Sequence, residues 1–231
     1  AGYAIILKKK NYLFIDSRYT IQAKLESGNN FIILNYEKII NCKIFKNLTI
    51  GIDPTLFTSE QLKKIFSNKK IKSIKINLVD NIKKFKASIK KPFYSLKTDV
   101  VGEDHKNKIK KMIKFLKKNN LDHILITSPE NVAWVLNIRG FDNPNSPIPN
   151  SNLLISKNNK KYIISEKTKL ITLKKEKKIN QNEIIDFKDA YSFLNKLKGK
   201  RILIDKETCS IYYENLLKKK FRIIKKSDPI Y

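Results

Sequence analysis

Arginine is scarce in a chain otherwise crowded with positive charge. The formal net charge is +28, from 49 basic and 21 acidic residues, yet only Arg18, Arg139, Arg201 and Arg222 are arginine. Such a charge ordinarily points to nucleic acid or an anionic membrane surface, because phosphates reward clustered cations. Proteins that grip phosphate or read bases favour the bidentate guanidinium fork, which is rare here. Lysine is instead spread over every segment alongside heavy use of Ile and Asn, a pattern that matches the codon bias of an AT-rich genome. Lysines on solvated faces account for the charge. Nucleic-acid binding is therefore not expected, and affinity for DNA that survives physiological salt would be needed to support it.

Cysteine is nearly missing too. Cys42 and Cys209 lie far apart without ligand spacing, so neither a disulfide framework nor a zinc site is indicated, and a reducing cytoplasm fits. The only histidines are His105, at a helix start among lysines, and His123, which opens a strand. Neither has a second ligand or a carboxylate at useful helical spacing, so both read as structural or solvated. No apolar run approaches the ~20 residues of a membrane span. Residues 1–7 are too short for a signal peptide and lack its basic leader. The expectation is a cytoplasmic protein with no membrane partner. What is present is enough to fold: 231 residues with 41% hydrophobic content can bury a core in each of one or two domains, which argues against disorder.

Along the chain, strands and helices alternate. Tyr3 to Leu7 and Tyr12 to Ile15 read as a hairpin, and Asp16-Ser17 opens a short helix closed by Gly28. Phe31 to Leu34 and Leu48 to Ile52 are strands, with Asp53-Pro54 as the turn out. Thr58 and Gln61 have capping-box spacing ahead of a helix carrying Leu62, Ile65 and Phe66. Ile71 to Ile76 alternates like a half-buried strand. The Lys-rich stretch Lys86 to Lys91, followed by Pro92, suggests a linker and a domain boundary near Ser95. From Glu103 to Asn119 the residues Ile109, Met112, Ile113 and Leu116 form one stripe of a helix whose lysines face solvent. His123 to Thr127 is a strand; Ser128 is an N-cap, Pro129 sits at the first helical position, and Gly140 reads as a left-handed terminator. Strands near 152–155, 162–165, 202–205 and 221–224, with helices at 187–197 and 212–217, complete an α/β pattern with mixed sheets. Cys42 lies in an alternating run, 39–45, that reads as a strand.

Four islands in this order resemble the amino-terminal half of the three-domain Xaa-Pro aminopeptidases, which share a peptidase architecture with creatinase and prolidase. They are Ala1-Gly2-Tyr3-Ala4 with Asp16-Ser17-Arg18-Tyr19-Thr20-Ile21-Gln22-Ala23, similar to the family's SAG-x-A run and DGRY-x-x-QA motif; Ile50-Gly51-Ile52-Asp53-Pro54; the Trp134 helix ending in Asn137-Ile138-Arg139-Gly140; and Ser227-Asp228-Pro229-Ile230. Ser17 stands where the family has glycine, and Ser146-Pro147-Ile148 where it usually has Asn-Pro-Val.

The resemblance implies two creatinase amino-terminal-like domains, 1–95 with its start missing and 96–231, each a mixed sheet flanked by helices. It also implies that the chain is an interior fragment, since the family's metallopeptidase domain, with two Asp, one His and two Glu around two divalent ions, commonly manganese, is absent from this sequence. The segment alone is then expected to be inactive. The full-length enzyme would remove the residue preceding proline from peptides with proline at the second position, with these domains limiting access and helping to build a homodimer. By the same resemblance Arg18 is a substrate-binding residue; read from its neighbours alone, it makes a local ion pair with Asp16. Arg139 reads as bonding the last carbonyls of its helix, the alternative being a loop that faces the catalytic cleft or the subunit interface, and Trp134 reads as a core residue in preference to a contact surface. The alternative is a non-catalytic peptide-binding or interaction module from a split or decayed peptidase gene.

Overall fold

The computed structural model describes residues 2–40, 42–67, 69–74, 76–82 and 90–230. Contacts divide the chain into two compact units, residues 1–52 with 60–74, and residues 53–59 with 75–231.

In the first unit β1 (Gly2–Ile6) and β2 (Asn11–Ile15) form the expected antiparallel hairpin. A 3-10 turn at Ser17–Tyr19 leads into α1 (Thr20–Ser27), which Gly28 terminates at φ 54, a value that favours glycine. The chain returns as β3 (Ile32–Asn35), parallel to β2. Next come β4 (Thr49–Ile52), α2 (Ser59–Ile65) and β5 (Lys70–Ser73), with β4 and β5 paired in parallel. Ser59, the first residue of α2, is assigned to the second unit. Phe14, Ile39, Phe45, Ile65 and Phe66 are buried, and Phe45 packs edge-on against Phe66 at 5.5 Å between ring centroids. The strand expected around Cys42 is not formed. Tyr36–Ile39 and Lys43–Phe45 are 3-10 turns, and Cys42 caps the second of them. Ile39 and Phe45 enter the core from these turns, so the apolar pattern reflects burial and not a pleat.

The second unit adds α3 (Leu78–Ile82), β6 (Tyr94–Ser95), α4 (Thr98–Val101), α5 (His105–Lys118), β7 (His123–Ile126), α6 (Pro129–Leu136) and β8 (Ile138–Arg139). Then follow β9 (Asn152–Ser156), β10 (Lys161–Ile164), α7 (Ile171–Lys175), β11 (Ile184–Ile185), α8 (Ala190–Lys196), β12 (Arg201–Asp205), α9 (Ile211–Lys218) and β13 (Arg222–Lys226). Ser95 lies on β6, which pairs with β8. The Lys86 to Lys91 linker falls outside the described residues except for Lys90 and Lys91.

A mixed sheet in the order β11-β10-β9-β7-β12-β13 organises this unit. Its central strands are apolar at consecutive positions because both faces are covered. Ile124, Ile126, Leu153, Ile155 and Leu203 point to one core with α5, α6 and α7. Leu125, Leu154, Ile202 and Ile204 point to the other, with α8 and α9. The α5 stripe of Ile109, Met112, Ile113 and Leu116 is buried as expected, but Lys108 is buried with it, at 2% exposure.

Residues 53–59 are bound into the second unit. Backbone bonds run from Ile211 N to Phe57 O and from Tyr212 N to Pro54 O, while Ser59 Oγ donates to Glu214 Oε2 at 2.7 Å.

Candidate peptide-binding site around Arg18

Asp16 follows β2 in an extended conformation, φ -65 and ψ 141, and its side chain caps the 3-10 turn by accepting from Arg18 N at 3.0 Å. The same carboxylate takes one edge of the guanidinium, with Arg18 Nε 2.9 Å from Oδ1 and Nη2 2.9 Å from Oδ2. The Arg18 side-chain hydrogen bond, followed by the one from its backbone N–H, holds the Asp16 carboxyl well below the usual carboxylate range. Both groups stay charged. The Arg18 side chain is 77% exposed, so the pair contributes little to stability; what it does is fix the rotamer.

That leaves the Nη1 edge of Arg18 with no hydrogen-bond partner among the described residues. Arg18 lines an open depression of about 470 Å³ shared with Tyr3, Asp16, Asn35, Tyr36 and Glu37. Tyr3 and Tyr36 stack at 5.6 Å, and burial, with help from a hydrogen bond to Tyr36, pushes the Tyr3 phenol up to about 12. Neutral aromatic surface beside an oriented cation suits a peptide carbonyl or carboxylate. Its lining also carries the Asp16 and Glu37 carboxylates, and neither histidine nor cysteine is among the lining residues described.

The other sequence-predicted candidates lie elsewhere. His123 is buried between Ser156 Oγ and Lys198 O, each 2.7 Å away, a structural role as expected. His105 is buried at the start of α5, with Nδ1 3.3 Å from Asp104 Oδ2. Burial pushes the Cys209 thiol up to about 12, which leaves it inert. Arg139 Nη1 donates to its neighbour's carbonyl, Ile138 O, at 2.8 Å.

Two expectations require correction. Trp134 is not a core residue: it is 44% exposed, and its ring faces the Lys108 ammonium at 3.9 Å. Nor does Gly140 terminate the helix. Asn137 does, at φ 52, and Gly140 has no positive φ. Gly140 is needed for closeness instead, since a Cβ there would lie 2.7 Å from Pro149 Cα.

Lys108 and Asn137 form a pair that no local pattern in the chain announces. Lys108 Nζ donates to Trp134 O at 2.9 Å and to Asn137 Oδ1 at 2.7 Å, and Asn137 Nδ2 donates to Glu103 O at 2.8 Å. The available signal was asparagine directly after the last apolar helical position, the second choice after glycine for a left-handed cap.

The residues present do not fit a dinuclear metal centre: among the described residues, no three His, Cys, Asp or Glu side chains come together. Nor is any helix of the described residues long and apolar enough to cross a membrane.

Comparison with known proteins agrees with this architecture. The model of the creatinase/prolidase N-terminal domain matches residues 85–231. A protein of Coprinopsis cinerea named as a probable Xaa-Pro aminopeptidase P is 30% identical over 163 residues, covering 64% of this chain and 26% of that protein. Aminopeptidase P2 of Arabidopsis thaliana is 25% identical over 233 residues, covering 91% of this chain and 32% of its own length. The chain thus spans between about a quarter and a third of these relatives. The crystal structure of an X-prolyl aminopeptidase from Caenorhabditis elegans superposes with a TM-score of 0.83 at 20% identity, covering 99% of this chain and 41% of that one. With the two-faced mixed sheet and the matched family model, the chain belongs to the creatinase/prolidase N-terminal domain family.

Proposed function

We propose that this chain forms the amino-terminal domains of a metal-dependent Xaa-Pro aminopeptidase, and that Arg18 binds the peptide substrate. The whole enzyme removes the N-terminal residue from peptides with proline second, a linkage whose tertiary amide has no N–H for ordinary peptidase sites to hold. These domains limit access to short or unstructured peptide ends and contribute to a homodimer in the cytoplasm. Two divalent ions, manganese by family resemblance, are held by polypeptide outside this chain.

The observation that carries the substrate role is the division of labour at one side chain. Asp16 locks the Nε/Nη2 edge, and the remaining Nη1 edge belongs to a group that lines an aromatic depression. Holding a donor in place before the substrate arrives lowers the ordering cost of binding.

The test is Arg18→Ala in the full-length enzyme, assayed as kcat/KM on Xaa-Pro peptides. A loss of about 10-fold is expected, the size of one hydrogen bond to a charged group. Arg18→Lys should not restore it, because an ammonium cannot serve Asp16 and the substrate with one planar fork. Unchanged kcat/KM would remove Arg18 from the site. The alternative, an interaction module without a peptidase, makes a different prediction: the five metal ligands would be missing from the sequence downstream of Tyr231.

A further inference from the structure

Away from Arg18, in the second unit, three segments converge on a pocket of about 360 Å³: the first turns of α5, the turn between β9 and β10, and the stretch that follows α7. Its lining is one-sidedly cationic. Lys106, Lys110, Lys161, Lys177 and Lys178 line it with His105, against the single carboxylate of Glu183. His105 is buried, Lys161 and Lys178 are half-buried, and Lys106, Lys110 and Lys177 are exposed.

The nearby acids are already engaged. Glu183 accepts from Lys161 Nζ at 2.8 Å and, through its other oxygen, from Asn180 N at 2.7 Å. Asp104 caps α5 by accepting from Lys106 N at 2.8 Å and faces His105 Nδ1 at 3.3 Å. Lys178 has only a long bond, 3.4 Å, to Asn137 O, and no carboxylate within salt-bridge distance among the described residues. It is a half-buried ammonium that no carboxylate contacts directly among the described residues, and its charge acts on the His105 imidazole.

The electrostatics agree with this geometry. Burial lowers His105; Asp104 opposes that, and the charges of Lys178 and Lys161 lower it further. Burial likewise lowers Lys178, against the pull of Glu176 and Asp104. Lys178 and Lys161 thus make His105 harder to protonate, and an anion bound between them would relieve it.

We propose that this pocket binds a small multivalent oxyanion of the phosphate class, seated among His105, Lys161 and Lys178. Ammonium groups converging from separate segments act as point charges, which suits a compact tetrahedral anion better than a planar carboxylate. A volume of about 360 Å³ suits a small ligand better than a nucleic-acid strand. The site owes nothing to the peptidase reading and stands or falls separately from it.

The chain has only two histidines, so imidazole NMR reads the site directly. Inorganic phosphate, titrated into the full chain at constant ionic strength, should raise the pH midpoint of His105 saturably, by about 1 pH unit. His123, closed off by Ser156 and Lys198, should not move. Lys178→Gln should weaken phosphate binding about 10-fold. The exposed Lys177→Gln, which leaves the core untouched, should weaken it several-fold. An equal shift with chloride at matched ionic strength would overturn the proposal, as would undiminished binding in both variants. A single-stranded oligonucleotide that moves lysine signals all over the surface, while phosphate leaves His105 unmoved, would overturn it in favour of diffuse polyanion binding.

Discussion

Asn131 and Asp228, 97 residues apart in sequence, are joined by a hydrogen bond of 2.9 Å from Asn131 Nδ2 to Asp228 Oδ2. Asn131 belongs to α6, and Asp228 to the segment that follows β13. Both are buried, and Asp228 Oδ1 also accepts from Ile230 N at 3.2 Å. The chain's exit from the last strand is therefore clamped to the tryptophan helix.

Burial raises the Asp228 carboxyl above its ordinary value, and Asn131 partly offsets this. Asn131→Ala should cost about 1.5–3 kcal/mol at neutral pH, the value of a hydrogen bond to a charged group. The sign with pH follows from the raised value: the protonated carboxyl suits the fold, so the stability it provides is present at low pH and lost as pH rises through the folded value. The variant's deficit should therefore be largest at pH 7 and smaller near pH 4. Urea unfolding at the two pH values checks this, and an equal deficit at both would contradict it.

Asp122 behaves in the opposite sense. Burial alone would raise its carboxyl, but hydrogen bonds from Lys157 and from the backbone N–H groups of Lys200 and Arg201 outweigh burial and hold it well below the usual carboxylate range. Its contribution is present above about pH 4 and is lost as pH falls toward the depressed folded value. Asp122→Ala strands two backbone donors at the start of β12 and should cost about 2–3 kcal/mol at pH 7. In acid-unfolding curves the gap between the two proteins should close below about pH 4.

Lys108 should be detectable by fluorescence, because Trp134 is the only tryptophan. Lys108→Met keeps the aliphatic stem but removes the cation from the ring and from two oxygen acceptors. The expected loss is about 2 kcal/mol, with a change in tryptophan emission. If emission and urea midpoint both matched wild type, the cage around Lys108 would carry no weight.

Gly140 and Asn137 separate closeness from conformation. Gly140→Ala should cost about 1–3 kcal/mol by overpacking against Pro149 and Phe93. Asn137→Gly keeps the left-handed cap but gives up the bonds to Lys108 and Glu103, so it should cost about 1–2 kcal/mol and disturb Trp134 emission as Lys108→Met does. Thermal melts of the two variants, read alongside fluorescence, distinguish these origins; an unchanged Trp134 signal in Asn137→Gly would break the link.

Periodic features were legible in the sequence. The β1 and β2 hairpin and the α5 stripe follow from local patterns of two or 3.6 residues, the start of α6 from the Ser128 cap and Pro129, and the central strands from short continuous apolar runs. What local pattern does not encode is harder to read. Lys108 occupies a buried position because an acceptor pair and an aromatic face await it from a different helix. Ile39 and Phe45 look pleated but arrive from 3-10 turns. The pairing of β6 with β8 joins two-residue strands too short to show any period. At Arg18 the ion pair with Asp16 was readable from spacing. The neighbouring Tyr3 and Tyr36 were not, since 33 residues of chain separate them.

The strand order of the second unit has a consequence for synthesis. β12 lies between β7 and β13, so the sheet keeps an unpaired edge at β7 until residues 201–205 have been made, and another at β12 until residues 222–226 have. Pairings between strands this far apart close slowly, and open edges invite association with other chains. A nascent chain stalled before either strand presents a normally buried edge, which favours aggregation until synthesis resumes.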